Sequence, residues 1–494
     1  MIEDFVSCML IGENSLIIEC GNILLKHNWK IEAVVTDKEE AIKWAKINSI
    51  PVFKSNEINN IKNLNIDYLF SIVNSLIIPD RILNSVKKLA INYHDAPLPK
   101  YAGVHATSWA ISNRERRHGI SWHIMTDVIE GGNVLVQERV VVKCDDTAES
   151  LNLKCFQAAI KGFNELVDSI ENNSIIFRKQ NLDDRSYFGK FEKLNRNGLV
   201  DWNQRDKDVI RYVNSTLFGR EDNDFLTAKI YYNGRFYIID KIENYCSEFY
   251  GNAGDAKVIN NEFVVAAKNR PLVFSVREIT GEKVNLSCFG DDIKSLNADD
   301  SIVDELADSI DATKKSERYW VGKLKKYKDN KNNKLIFNPS METQIDTGIL
   351  SGMCLLEKIL LYFYQSVINN GIDSYFLGFF DSRNTYSDIC SDIVPFVIRN
   401  NNPDSLEEIL EEEKKELSEI EKNKTFLLDV HYRYPSLSGV KKVYDYVIIA
   451  DEGNGNYQNK SNKLTIVIDK NNNYRMLPAD EEGQRVANEL IALL

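Results

Sequence analysis

Within residues 91–135, INYHDAPLPKYAGVHATSWAISNRERRHGISWHIMTDVIEGGNVL, three side chains could act together on a carbonyl. Asn92, His94 and Asp95 lie at the end of an apolar run and are followed at once by Pro97-Leu98-Pro99, while Glu130 comes directly before Gly131-Gly132. An amide, an imidazole and a carboxylate held on two strand ends suit polarising a carbonyl and handling the proton shed by an amine. No Ser or Cys stands where a nucleophile would be needed. The pattern points to direct acyl transfer without a covalent enzyme intermediate.

These side chains need a scaffold, and the preceding residues supply a pattern for one. Residues 6–11, 16–27 and 31–35 read as strand, helix and strand, the opening of a doubly wound α/β domain. A helix at 38–48, a short strand at 51–53 and a buried strand at 67–73 follow, and 71–79 leads into another helix. The strand at 89–93 then delivers Asn92 and His94 on one face, because side chains alternate along a strand. Strand ends are where open α/β sheets bind ligands. The first turn, IGENSL, lacks the GxGxxG of a dinucleotide site; a folate, which has no pyrophosphate, remains compatible.

A strand at 134–142 and a long amphipathic helix at 147–170 close the first domain near residue 175. Residues 179–200 read as a connector and 205–216 as a helix. The strand pairs 228–232/235–243 and 255–259/262–266 flank Asn233-Gly234 and Asn260-Asn261, so 176–295 is expected to be connector plus small β-barrel. The acidic stretch 296–315 reads as a linker whose middle is helical. Residues 316–494 then show a helix at 349–367, a strand at 374–379, an extended run at 393–398 and a Glu/Lys-rich helix at 405–422.

Composition narrows the function classes. The 494 residues, 43% hydrophobic and 27% charged, suffice for two to four cored domains. The net charge of -12 and the lack of a basic stripe argue against a nucleic-acid partner. Eight scattered cysteines include no CxxC pair. The first residues carry two acids before any apolar run, and no apolar stretch reaches a membrane-spanning length of about 18 residues. A cytoplasmic placement without membrane contact is therefore expected. His105, His118 and His123 show no HxH or HxxxH spacing with a carboxylate and read as structural, not as metal ligands.

The Asn-x-His, Pro-Leu-Pro and Tyr101-Ala102-Gly103 series, with His118-Gly119-Ile120 and Met125 ahead of an acid-Gly-Gly turn, resembles the formyltransferases that use 10-formyltetrahydrofolate. The wording INYHDAPLPKYAGVHATSWA is most similar to formylation domains that begin some nonribosomal peptide synthetases. The resemblance implies a Rossmann-like catalytic domain, a small oligonucleotide-binding-like barrel, 10-formyltetrahydrofolate as co-substrate, an amine acceptor and no metal. It implies that Asn92 and His94 hydrogen-bond the formyl oxygen and that Glu130 orients His94 and helps remove the amine proton. Leu76, Ile77 and Ile78, with Ile129, Gly131 and Gly132, are implied as the donor pocket. The family has Asp where this chain has Glu130.

Residues 316–494 resemble part of a condensation-type domain. Condensation chemistry needs HHxxxDG, and the only His after residue 123 is His431, followed by Tyr432. That leaves docking as the expected use of this region, separable from transfer to a small free amine. The partners implied are carrier or adenylation proteins of a peptide synthetase acting in trans. The alternatives are a standalone enzyme for a small amine such as an amino sugar, and a non-catalytic docking module.

Overall fold

The computed structural model describes residues 5–494 except 62–64, 247, 291, 294, 331–334, 336–352, 382–386, 402, 404, 441–442, 452–457 and 459. The first part is built on a seven-stranded sheet. Its strands are β1 (Ser7–Gly12), β2 (Lys30–Val35), β3 (Val52–Phe53), β4 (Ile66–Ile72), β5 (Val86–His94), β7 (Arg117–Ile124) and β8 (Val134–Val141), in the order β3-β2-β1-β4-β5-β7-β8. A short pair, β6 (Ala102–Gly103) and β9 (Tyr187–Phe188), stands outside it. β1 to β5 pair in parallel; β5 pairs with β7, and β7 with β8, antiparallel.

The two faces of β1 show why its apolar run lacks the alternation of a half-exposed strand. Cys8 and Leu10 enter one core with helices α1 (Leu16–Lys26), α2 (Glu39–Ile47), α4 (Ala106–Ser112) and α5 (Ala148–Glu171). Met9 and Ile11 enter a second core with Ile78 and with Ile82 of the short helix α3 (Asp80–Leu83). Both faces being covered is the condition for a continuous apolar strand. α5 starts where its sequence permits: the Thr147 side chain accepts from the Ser150 N–H, and Ser150 Oγ accepts from the Thr147 N–H.

After α6 (Asp206–Asn214), six antiparallel strands follow: β10 (Lys229–Tyr232), β11 (Arg235–Tyr245), β12 (Ala256–Ile259), β13 (Glu262–Ala266), β14 (Pro271–Glu278) and β15 (Asp292–Ile293). Their order is β10-β11-β14-β13-β12-β15. The barrel expected here is, by hydrogen bonding among the described residues, an open sheet. It bends around Phe289, whose ring lies 5.5, 4.9 and 4.6 Å from those of Tyr232, Tyr237 and Phe263 on three different strands.

The stretch read as a linker with a helical middle, 296–315, carries that helix, α7 (Asp300–Thr313), capped by Asp299, which accepts from the Ile302 N–H, but the helix is packed and not a free linker. Leu306 and Ile310 are buried in the same core as α5. α8 (Glu317–Asn330) follows, then α9 (Leu355–Asn369), α10 (Leu406–Asn423), α11 (Val430–Arg433) and α12 (Glu481–Leu493). The first residues of the expected helix 349–367 lie outside the described residues. A five-stranded mixed sheet carries this region: β16 (Ser374–Asp381), β17 (Val394–Arg399), β18 (Tyr446–Asp451), β19 (Leu464–Asp469) and β20 (Tyr474–Pro478), in the order β17-β16-β18-β19-β20. Among the described residues no helix is long and apolar enough to cross a membrane.

The C-terminal region, read from the sequence as a docking piece separable from transfer, is tied to the preceding part through buried charges. Lys229, fully buried, places its Nζ 2.8 Å from Asp429 of the C-terminal region. Asp429 also holds Arg433 and accepts from Thr227 Oγ1, and Arg433 pairs with Glu317 and donates to the Asn223 carbonyl. Burial by itself would raise the Asp429 pKa, but the adjacent Arg433 and Lys229 charges hold it well below the usual carboxylate range.

One buried acid is left uncompensated. Glu413 on α10 is 6% exposed, and among the described residues neither carboxyl oxygen has a hydrogen-bond partner. Burial, reinforced by the Glu357 charge, pushes its pKa up to about 8. The folded state thus keeps a proton that the unfolded chain releases near 4.5, so this group costs stability progressively as pH rises from 4.5 to 8. Glu413→Gln should raise Tm at pH 8.5 by about 5 °C and change it little at pH 4.5, as read by thermal melts at both values. Equal shifts at the two pH values would mean that ionisation of Glu413 is not the cause.

Candidate active site

The end of β5 sets the site. Alternation puts Asn92 and His94 on the same side of the strand, where the parallel run of the sheet meets antiparallel β7 and Asn92 pairs in register with His123. His94 is buried and spans two acceptors: Nδ1 lies 3.0 Å from Glu130 Oε1, and Nε2 lies 2.8 Å from the Tyr101 carbonyl oxygen. A carboxylate and a carbonyl can only accept, so both ring nitrogens must donate and the ring is an imidazolium. Burial alone would lower its pKa, yet the Glu130 hydrogen bond and charge, with Asp95 and the Tyr101 carbonyl, raise it to about 9. Burial likewise opposes ionisation of Glu130, and the His94 contact overcomes it and holds that carboxyl below its ordinary value.

Glu130 reaches further than an Asp would. Its Oε2 accepts from the Gly103 N–H at 2.5 Å while Oε1 holds His94, so one side chain ties the acid turn to the loop after Pro99. Gly103 sits at φ +104°, where a Cβ would stand 2.0 Å from the Phe188 carbonyl oxygen, which fixes glycine at that position. Glu130 itself adopts φ +56°, a left-handed conformation that costs a non-glycine residue about 1–2 kcal/mol and needs external restraint.

Asn92 is oriented by His123. His123 Nδ1 lies 3.0 Å from the Ile124 carbonyl and so carries the proton there, leaving Nε2 to accept from Asn92 Nδ2 at 3.2 Å. Burial, together with the nearby His94 charge, lowers the His123 pKa to about 4, which keeps it a neutral acceptor. The second N–H of Asn92 has no partner among the described residues. His118, whose pKa is lowered by burial, donates from Nε2 to the Asp95 carbonyl. His105 pairs with Asp224 at 3.1 Å, away from this network.

Two sequence expectations change. The sequence reading has His94 turn an N–H toward the formyl oxygen, but both of its N–H groups are already committed, so among the described residues of this network the donor left uncommitted is Asn92. Within the expected donor pocket, Ile78 is buried in the core with Leu69 and Ile82, whereas Ile77 and Ile129 are 90% and 65% exposed and Leu76 is half-buried. Gly132 answers to packing, since a Cβ there would lie 2.0 Å from the Ile124 carbonyl oxygen. The Tyr101 carbonyl, the Gly103 N–H and Gln180, which holds the turn around Glu130, were missed. The first two are main-chain groups, and Gln180 lies in a connector with no periodic pattern.

Residues 21–167 match the family model described as formyl transferase. The bifunctional polymyxin resistance protein ArnA of Wigglesworthia glossinidia brevipalpis is 30% identical over 206 residues, 38% of this chain and 31% of ArnA, so the chain spans about a third of that relative's length. The methionyl-tRNA formyltransferase of Alkaliphilus oremlandii is 28% identical over 229 residues, 44% of this chain and 70% of that protein. The GDP-perosamine N-formyltransferase of Brucella melitensis is 28% identical over 185 residues, 37% of this chain and 68% of that protein. Among solved structures, the sugar 3N-formyl transferase WlaRD overlays with a TM-score of 0.43 at 20% identity, covering 55% of this chain and 97% of that one.

Proposed function

We propose that this chain, whose residues 21–167 match the formyl transferase family model, moves a formyl group from 10-formyltetrahydrofolate to a primary amine. The observation that supports this reading is the pairing of an uncommitted Asn92 N–H with the buried His94 cation at one strand end. As the amine nitrogen attacks the formyl carbon, the carbonyl electron pair moves to oxygen. Asn92 donates to that oxygen, and the buried His94 charge on the same side of the strand stabilises it. The bond from carbon to the folate nitrogen then breaks, and the proton lost by the amine ends on that nitrogen. Both Glu130 oxygens are engaged, so Glu130 holds the His94 charge in place, and water or a neighbouring group carries the proton.

Ile77, in the loop after β4, and Val128 and Ile129, in the turn that carries Glu130, are exposed apolar side chains suited to covering a planar ring. The acceptor is a small amine. A sugar amine has support in the named GDP-perosamine relative, and the net charge of -12 disfavours a tRNA. An aminoacyl or hydroxyamino acid group on a peptide-synthetase carrier remains the narrower version of the same reading. The test is tetrahydrofolate release from 10-formyltetrahydrofolate with a panel of amino sugars, amino acids and loaded carriers. Amine-dependent release is the expected result; its absence with every acceptor would sink the proposal.

Glu130→Asp probes how the site uses the longer acid. A side chain one methylene shorter cannot reach both His94 Nδ1 and the Gly103 N–H, so turnover should fall roughly 10- to 100-fold in steady-state assays. A gain in turnover would instead mark the site as decayed from an Asp-containing form.

A further inference from the structure

Residues 176–191 leave α5 and run back over the site. A bridge between Val134 and Arg178 places them along the edge of β8. Three of their side chains then grip the loops that clamp His94. Gln180 Nε2 donates to the Glu130 carbonyl at 2.8 Å and to the Gly132 carbonyl at 2.6 Å. Arg185 donates to the Ile129 carbonyl at 2.9 Å, and Ser186 Oγ accepts from the Tyr101 N–H at 2.8 Å.

Gln180 differs from the other two. It is 8% exposed, its one nitrogen serves two carbonyls that bracket the left-handed Glu130, and its Oε1 is buried with no partner among the described residues. Leaving an amide oxygen unsatisfied is unfavourable for the fold. What the side chain supplies is a fixed backbone at Glu130. Flipping the amide would set an oxygen against two carbonyl oxygens, so the two bonds also fix its orientation.

We infer that Gln180 is a positioning residue for formyl transfer, holding the 129–132 turn so that the Glu130 carboxylate meets His94 and Gly103 together. The inference rests on the proposed transfer reaction. Without the two carbonyl anchors the turn relaxes from its left-handed residue, and the carboxylate moves by about an ångström, a displacement large enough to cost about a hundredfold in rate.

The test uses full-length protein with Gln180→Leu, which keeps bulk and removes the donor, and Gln180→Asn, which keeps the donor and shortens its reach. Two readouts are taken: turnover with donor KM, and the midpoint of the His94 ring in an NMR titration, assigned by comparison with His94→Gln. In Gln180→Leu, turnover should fall about 10- to 100-fold with donor KM within about threefold, and the His94 midpoint should drop by a pH unit or more. Gln180→Asn should fall between Leu and wild type, and it carries the test alone if the Leu variant does not fold. Turnover within twofold of wild type with an unmoved His94 midpoint would overturn the inference. If wild type forms no formylated product with any amine, the transfer reading fails separately, and the His94 midpoint still decides whether Gln180 positions Glu130.

Discussion

Asn92→Ala should lower formyl transfer about 100- to 1,000-fold, the range seen when one donor to a developing oxyanion is removed. The protein should stay folded, because among the described residues the Asn92 side chain gives up only one neutral hydrogen bond, to His123, worth about 1 kcal/mol. His94→Ala should behave differently. It abolishes transfer to a similar degree and also strands the Glu130 carboxylate without its counter-charge, so Tm should fall with activity. The pair of variants separates a group that acts on substrate from one that also holds the site together. The His94 cation also sets a pH limit. Its pKa is raised from 6.5 to about 9, so its stabilising contact with Glu130 is complete below 6.5 and is lost as pH rises through 9, and transfer should decline over the same window. Turnover of Asn92→Ala within threefold of wild type would remove it from the mechanism.

The parts of this site that sequence revealed are those carried by side chains in regular elements. Asn92 and His94 could be placed because an apolar run stops at His94 against a Pro-Leu-Pro turn, and alternation fixes which side they share. Glu130 could be singled out because an acid before two glycines marks a tight turn. Its second function, accepting from the Gly103 N–H, could not, since any residue offers a main-chain N–H and only the fold decides which one is near. The reading of His94 as a donor to substrate failed for the same reason: the Tyr101 carbonyl that takes its second N–H leaves no trace in residue type. α7 is legible as the helical middle of a linker, but not as an element packed into the core. Ile302, Leu306 and Ile310 recur every fourth residue behind the Asp299 cap, a helical stripe that the surrounding acids made easy to read as linker.

Removing residues 316–494 should destabilise what remains, with Tm lower by roughly 10 °C or more or the fragment insoluble, where the sequence suggested a separable docking piece. The cut takes Asp429 from Lys229, which is fully buried and whose Nζ otherwise reaches, among the described residues, only Thr227. It takes Arg433 from both main-chain groups of Asn223 and Tyr432 from Asp240. Ile389, Cys390 and Leu427 leave the core shared with Leu306 and Ile310, uncovering apolar surface on α7. Breaking a buried ion pair on one side costs about 3–5 kcal/mol when the remaining charge stays buried. Lys229 would be rehydrated in part, but the lost apolar cover adds to the cost, and each kcal/mol moves Tm by about 2–4 °C in a domain of this size. The consequence reaches the site along the chain, because Asp224, beside these seam residues, holds His105 two residues beyond Gly103. Thermal melts and tetrahydrofolate release on the fragment 1–315 decide the point. A fragment that melts within a few degrees of the full chain and transfers formyl to a small amine at the same rate would show the C-terminal region to be an independent addition.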